Sequence, residues 1–360
     1  MRLHICQLCG GLDAQFYRHH LVTNVTDSDP TYRASPLDSI SVKNLPITHT
    51  ISTRDLGNII LIYRMFKSQH IDIVHGHGAK GGLYARICGK LTGAKVVYTP
   101  HGGISHERRH GWTSTIQNKV EKFLRPSTDM YVFESKYAKA QFSKIIGPVS
   151  EMSFVNYNGI QPRASDQELV PTPVQTPIVI GAFGRLEYAK GFDLLVRAIK
   201  ILTEEYFVPI TCKIYGEGKD HYILQKLIQK LNLGDQVLLM GHALQVMDEM
   251  ASCDIIIQPS RFDSMPYVPL EAMQLGKPLV VTRVGGLPEL VTDDLDGLLA
   301  KPEPRDIADK LRRLCSDSDL RQHLTTNAFF KLRSRFSSTT MLRNIDSIYR
   351  SLIDEKSNSS

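Results

Sequence analysis

The sequence predicts an α/β protein of two Rossmann-like domains facing each other across a cleft, on three observations. Short β-branched runs alternate with helix-patterned segments almost throughout, as in parallel sheets covered by helices. The 360 residues suffice for two domains, each burying its own core. Between the halves, the stretch 161–177 is rich in Pro, Thr, Gln and Asp and lacks any apolar period, which marks a linker. The expected plan is a first domain over 1–160, the linker over 161–177 and a second domain over 178–335. A terminal helix over 336–360 is expected to pack back toward the first domain and to end in a disordered tail.

Taken in order, the first half is expected to form strands at Leu3–Gln7, Val22–Thr26, Ile71–His75, Lys95–Pro100, Met130–Phe133 and Ser153–Asn156. In the second half they are expected at Ile178–Phe183, Thr211–Tyr215, Gln236–Met240, Asp254–Gln258 and Pro278–Thr282. Only residues 9–20 separate the first two predicted strands, whereas a parallel crossover needs ~10–12 residues or more. The first βα unit is therefore expected to be shortened, which weakens the pocket on that side.

Composition narrows the classes. Hydrophobic residues at 42% and charged residues at 22% exclude a largely disordered chain. No stretch approaches the ~18–20 apolar residues of a membrane span, and the start has no long apolar run with a small-residue cleavage site. The expected location is the cytoplasm. Of the six cysteines, Cys6 and Cys9 have redox or zinc spacing, but no second pair completes a site, so core packing is expected. The net charge of +6 suits a phosphate-bearing partner, whether nucleotide, membrane face or nucleic acid.

The chemistry-bearing residues gather in the second half. In Gly181–Gly191 a buried strand ends at a glycine turn and presents Arg185 and Lys190 before a helix that opens at Gly191. Cations and backbone N–H groups at a strand-to-helix junction are what a diphosphate requires. After strand Asp254–Gln258 comes the stretch from Pro259 to Met273, with Asp263 in a loop, Pro266 at a helix start and Glu271 inside that helix. Two carboxylates eight apart, flanking a helix N-terminus, can hold sugar hydroxyls at one end and a ribose diol at the other. The backbone of Ser264, Met265, Pro266 and Tyr267 would then turn its N–H groups, which Pro266 alone lacks, toward the phosphates between them.

Together with Gly216-Glu217-Gly218, Met240-Gly241-His242 and Gly285-Gly286…Pro288-Glu289, this ordered set resembles the retaining glycosyltransferases of GT-B fold, family 4 (glycosyl transferases group 1). The resemblance covers essentially all of 153–350. It implies that Gly184, Arg185 and Lys190 bind a donor pyrophosphate, that Glu271 binds the nucleotide ribose, and that backbone around Gly241 and His242 flanks the base. It implies that Asp263 holds the donor sugar. The family usually carries Glu there, so the carboxylate reaches one methylene less and the donor pose is expected to differ. In the first half, His75-Gly76-His77 and Thr99-Pro100-His101-Gly102-Gly103 look like the family's acceptor-side loops, with His101 facing the donor sugar.

The expected activity is transfer of a sugar from a UDP- or GDP-sugar to an acceptor hydroxyl with retained configuration. The expected acceptor is a saccharide or lipid-linked saccharide of the cell surface, and neither a metal nor another cofactor is obligatory. Nucleic acid is not an expected partner. A nucleotide-sugar-binding protein with impaired catalysis and a UDP-sugar epimerase of the same architecture are the alternatives. A dehydrogenase is disfavoured, because Cys9-Gly10-Gly11 is not a dinucleotide fingerprint.

Three further features have plainer readings. His75 and His77 sit on one strand end, where one of them is expected to face the site; metal binding by the pair lacks further ligands. Trp112, Ile116, Val120 and Phe123 have helical spacing amid basic residues, expected to face a core, with contact to anionic lipid as the alternative. Asp27-Ser28-Asp29 and Asp293-Asp294 are expected turns.

Overall fold

The computed structural model describes residues 2–24, 40–48, 52–101, 112–162 and 176–357. It divides into two compact units, one formed by Met1–Tyr157 with Ser338–Ser360 and the other by Asn158–Ser337.

Unit 1 begins with helix α1 (Arg2–Gly11), followed by strands β1 (His20–Thr23) and β2 (Ser41–Asn44), helix α2 (Arg54–Ser68), strand β3 (Ile73–His77) and helix α3 (Gly78–Thr92). Then come β4 (Lys95–Thr99), α4 (Trp112–Leu124), β5 (Met130–Phe133), α5 (Lys136–Ile146) and β6 (Ser153–Val155). Strands β3-β4-β5-β6 form a parallel sheet in that order, and β1 pairs with β2 in a second parallel sheet.

The predicted strand Leu3–Gln7 is therefore a helix, and the shortened crossover that followed from it falls away. His4, Leu8 and Leu12 recur every four residues and are all buried, the period of a helix face. Leu8 and Leu12 pack on Met341, Ile345, Ile348, Tyr349 and Leu352, and on Val97 and Val132 of the sheet. That burial outweighs the local β propensity of a short apolar run. The strand expected at Val22–Thr26 begins earlier, at His20, and residues 25 and 26 lie outside the described ones, as do Asp27-Ser28-Asp29.

Helix α4 also turns a different way than expected. Ile116 and Phe123 are exposed, at 51% and 82%, while Glu121 and Leu124 are buried. Glu121 is drawn inward because it accepts from Arg86 (2.7 Å) and from the Tyr98 hydroxyl (3.0 Å). Arg86 is fully buried, and an unpaired buried guanidinium is far more costly than two exposed apolar side chains.

Unit 2 runs β7 (Ile178–Phe183), α6 (Phe192–Glu204), β8 (Ile210–Tyr215), α7 (His221–Lys230), β9 (Val237–Gly241), α8 (Val246–Ala251), β10 (Ile255–Gln258) and α9 (Tyr267–Gln274). It continues through β11 (Leu279–Thr282), α10 (Leu287–Leu290), β12 (Leu298–Ala300), α11 (Pro304–Ser316) and α12 (Ser318–Arg335). The sheet order is β12-β11-β10-β7-β8-β9, every pairing parallel. Its central strands β7, β10 and β11 are continuous apolar runs because both faces are covered: Ile180, Ala182 and Ile257 are fully buried against Leu195, Ile199 and Leu311. The last helix, α13 (Ser338–Ser357), belongs to unit 1. Asp293 and Asp294 lie in a turn, where Asp293 pairs with Arg283 and Lys310 and Asp294 with Arg313.

Candidate functional site

The order of the unit 2 sheet fixes where a ligand can enter. From β7 the chain winds to β8 and β9 on one side, then returns to β10, β11 and β12 on the other. The crossovers therefore diverge between β7 and β10, and the loops leaving those two strands open a crevice beyond their carboxyl ends.

Both loops are held by backbone. Gly184 and Gly191 have positive φ (147° and 68°), and a Cβ on Gly191 would lie 2.0 Å from the Pro259 carbonyl oxygen. A short 3-10 turn, Tyr188–Lys190, ends at Gly191, which opens α6. Across the crevice, the Gly286 amide donates to the Asp263 carbonyl (3.0 Å). A Cβ on Gly285 would stand 1.7 Å from that same oxygen.

Side chains then close the gap. Lys190 Nζ donates to Asp263 Oδ2 at 2.7 Å, with both side chains mostly buried. The same carboxylate oxygen accepts from Ser260 Oγ (3.0 Å) and Gln258 Nε2 (3.3 Å). Arg261 holds Asp193 through two bonds of 2.6 and 2.7 Å and covers the Tyr188 ring, so the 3-10 turn is fastened to α6.

Glu271 lies in α9, and burial raises its carboxyl from 4.5 to about 7. Pro266 occupies the position before the first helical residue, Tyr267. Met265 is buried, and its carbonyl accepts from the Asn158 amide at 2.8 Å. The Asn158 Oδ1 is buried with no hydrogen-bond partner among the described residues.

The structure thus brings Gly184, Lys190 and Asp263 together and places Ser264–Tyr267 and Glu271 on the same loop and helix. Gly241 ends β9 at φ 72°, its carbonyl accepting from Gly216 at 2.7 Å, and His242 beside it is exposed. Arg185 does not join the group: its side chain is 75% exposed and paired with Glu187. Gln258, Ser260, Arg261 and Asp193 belong to the site although sequence reasoning assigned them no role. A sequence signal existed for the first three, since Gln258 ends a predicted strand and Ser260 and Arg261 follow it closely; the partnership of Arg261 with Asp193 left none.

His101 lies in unit 1, where it forms a second polar centre. The His77 Nδ1 and His101 Nε2 atoms are 2.9 Å apart. His75 stacks on His77, ring centres 4.1 Å apart, and contacts the Tyr349 hydroxyl (2.6 Å) and Thr99 Oγ1 (2.8 Å). Both strand histidines therefore share one face, as residues two apart on a strand must, and the expectation that only one would do so is corrected. His4 of α1 meets the edges of His77 and His101. Burial first, then neighbouring imidazoles, holds His77 and His101 well below the ordinary histidine range, and His75 at about 3. His101 carries a φ of 49°, a left-handed backbone unusual outside glycine.

Two family models match consecutive parts of the chain. Glycosyltransferase Family 4 matches residues 1–163, and Glycosyl transferases group 1 matches 167–329. An uncharacterised glycosyltransferase of Methanocaldococcus jannaschii is 27% identical, covering 90% of this chain and 88% of that protein. The UDP-Gal:alpha-D-GlcNAc-diphosphoundecaprenol alpha-1,3-galactosyltransferase of Escherichia coli is 23% identical over 84% of this chain and 81% of its own. Among solved structures, Anabaena HepE in complex with UDP-glucose superposes with a TM-score of 0.78 at 21% identity, covering 97% of this chain and 95% of its own. The sucrose-phosphate synthase of Thermosynechococcus elongatus gives 0.79 at 19% identity, over 98% and 93%.

Proposed function

Because the chain belongs to the group 1 glycosyltransferases of GT-B fold, we propose that it moves a sugar from a UDP- or GDP-sugar to an acceptor hydroxyl with retained configuration. The observation that carries this reading is the Lys190–Asp263 pair set across the β7/β10 crevice, with Glu271 in the helix that follows the Asp263 loop. The ammonium of Lys190 takes the donor diphosphate, and the N-terminus of α9 at Ser264–Tyr267 adds its dipole. Glu271 accepts from the ribose hydroxyls, backbone at Gly241 and His242 flanks the base, and Asp263 accepts from the sugar. Arg185 reaches the diphosphate only by leaving Glu187.

As the glycosidic bond breaks, negative charge grows on the leaving phosphate, and fixed positive charge there lowers the barrier. The acceptor oxygen attacks from the face the phosphate leaves, and a phosphate oxygen receives its proton. Unit 1 serves the acceptor. A cell-surface saccharide, free or lipid-linked, fits the acceptor named for the E. coli relative. The exposed Ile116 and Phe123 of α4, interleaved with Lys119 and Lys122, suit a peripheral contact with anionic lipid. No described helix is long and apolar enough to cross a membrane.

The test is a thermal-shift panel of UDP-, GDP- and ADP-sugars, since a ligand that binds only the folded state raises its stability. One uridine or guanosine sugar is expected to raise the melting temperature; no response to any nucleotide-sugar would overturn the reading. The configuration of the product's new bond, read by NMR, tests retention.

A further inference from the structure

The histidine centre of unit 1 has a chemistry the sugar-transfer reading does not use. Three elements far apart in sequence converge on it: α1 through His4, the end of β3 through His77, and the residues after β4 through His101. One ligand nitrogen from each ring lies within 4.8 Å of the other two. A tetrahedral metal with bonds of ~2.0–2.1 Å would hold such nitrogens about 3.4 Å apart. Modest ring rotations close that difference.

We propose that His4, His77 and His101 bind one divalent transition-metal ion such as Zn2+, leaving its fourth position open to water or another ligand. The donor set decides the class of ion. Three imidazoles suit zinc, cobalt, nickel or copper, whereas magnesium and calcium prefer oxygen. His75 supports the arrangement from behind: it is fixed by Tyr349 and Thr99 and stacks on His77, restricting the turn of that ring. The left-handed backbone at His101 is a local strain that holds its ring in the cluster, and such strain gathers at functional positions. A purely structural cluster of stacked imidazoles is the competing account, and it makes no claim on metal. The proposal does not rest on the donor reading, because it concerns unit 1 without nucleotide.

The test uses the full chain, stripped with chelator and titrated with Co2+, whose visible absorption reports coordination, then with Zn2+ by calorimetry. The expected result is one equivalent bound with tetrahedral Co2+ absorption and no thiolate charge-transfer band, displaced by Zn2+ but not by Mg2+. His4→Gln and His77→Gln should each weaken binding by about 100-fold, using the upper range for disturbed ligand shells. His221→Gln and His323→Gln, on exposed positions of unit 2, should leave it unchanged. Melting curves confirm that each variant folds. Absence of a saturable equivalent, or binding by His4→Gln and His77→Gln equal to that of the native chain, would overturn the proposal.

Discussion

The polar centres of the two units are held in place by different means. In unit 2, backbone meets backbone: the Gly191 and Gly285 loops lie where no side chain fits against Pro259 and Asp263, and the Lys190–Asp263 pair hangs on that frame. In unit 1, side chains carry the structure: Arg86, Glu121 and Tyr98 form one buried group, and four histidines from three places in the chain form another. A backbone frame sets geometry before any ligand arrives, which is what charge stabilisation at a breaking bond requires. A side-chain centre can shift through rotamers, which suits recognition of a varied acceptor or capture of an ion.

Unit 1 should therefore break when a side chain is removed, and unit 2 when an atom is added. Arg86→Ala leaves Glu121 buried and unpaired, a loss of about 3–5 kcal/mol; calorimetric melting should show it in unit 1, and Arg86→Met with Glu121→Leu should recover most of it. Lys190→Ala should lower kcat by about 10²–10³-fold, the scale of one lost charge-stabilising donor, with unit 2 still folded by circular dichroism. Gly285→Ala, with φ at 58° and Asp263 in the way, should destabilise unit 2 by about 1–3 kcal/mol, seen as a lower denaturant midpoint. A Gly57→Ala change in α2 of unit 1 meets nothing within 4 Å and should be neutral or slightly stabilising.

The smallest effect is in pH. Glu271 holds its proton more tightly in the fold than in the unfolded chain, so its contribution to the stability of the empty site is greatest below pH 4.5 and declines up to about pH 7. Donor hydroxyls need the carboxylate, so donor affinity should rise through the same window and level off above pH 7. Below that value the dissociation constant should change by up to about tenfold per pH unit. Titrations by calorimetry should show this slope in the native protein and none in Glu271→Gln.

The same contrast explains what could be read from sequence. Close backbone approach demands glycine at fixed places, so Gly184, Gly191 and Gly285 marked the unit 2 loops in advance, and five of the six strands of that sheet fell within a residue of expectation, the edge strand β12 going unread. The bonds that join Asp263 to Lys190, Ser260 and Gln258 were invisible because side-chain hydrogen bonds of this kind impose no spacing rule. In unit 1 the run Leu3–Gln7 suited a strand locally, and the stripe His4, Leu8, Leu12 was the signal for the helix it forms. With α1 misread, His4 could not be placed beside His77 and His101, and the cluster was out of reach. Glu121 likewise turned α4 over through a partner thirty-five residues away.

The central claim is that the nucleotide is held by the backbone-framed crevice of unit 2. Its most direct measurement is a calorimetric titration with UDP and GDP of the native protein, Lys190→Ala and His101→Ala. The expected result is binding of one nucleotide, weakened at least tenfold in Lys190→Ala and changed less than twofold in His101→Ala. Unchanged binding in Lys190→Ala, or its loss in His101→Ala, would contradict the claim.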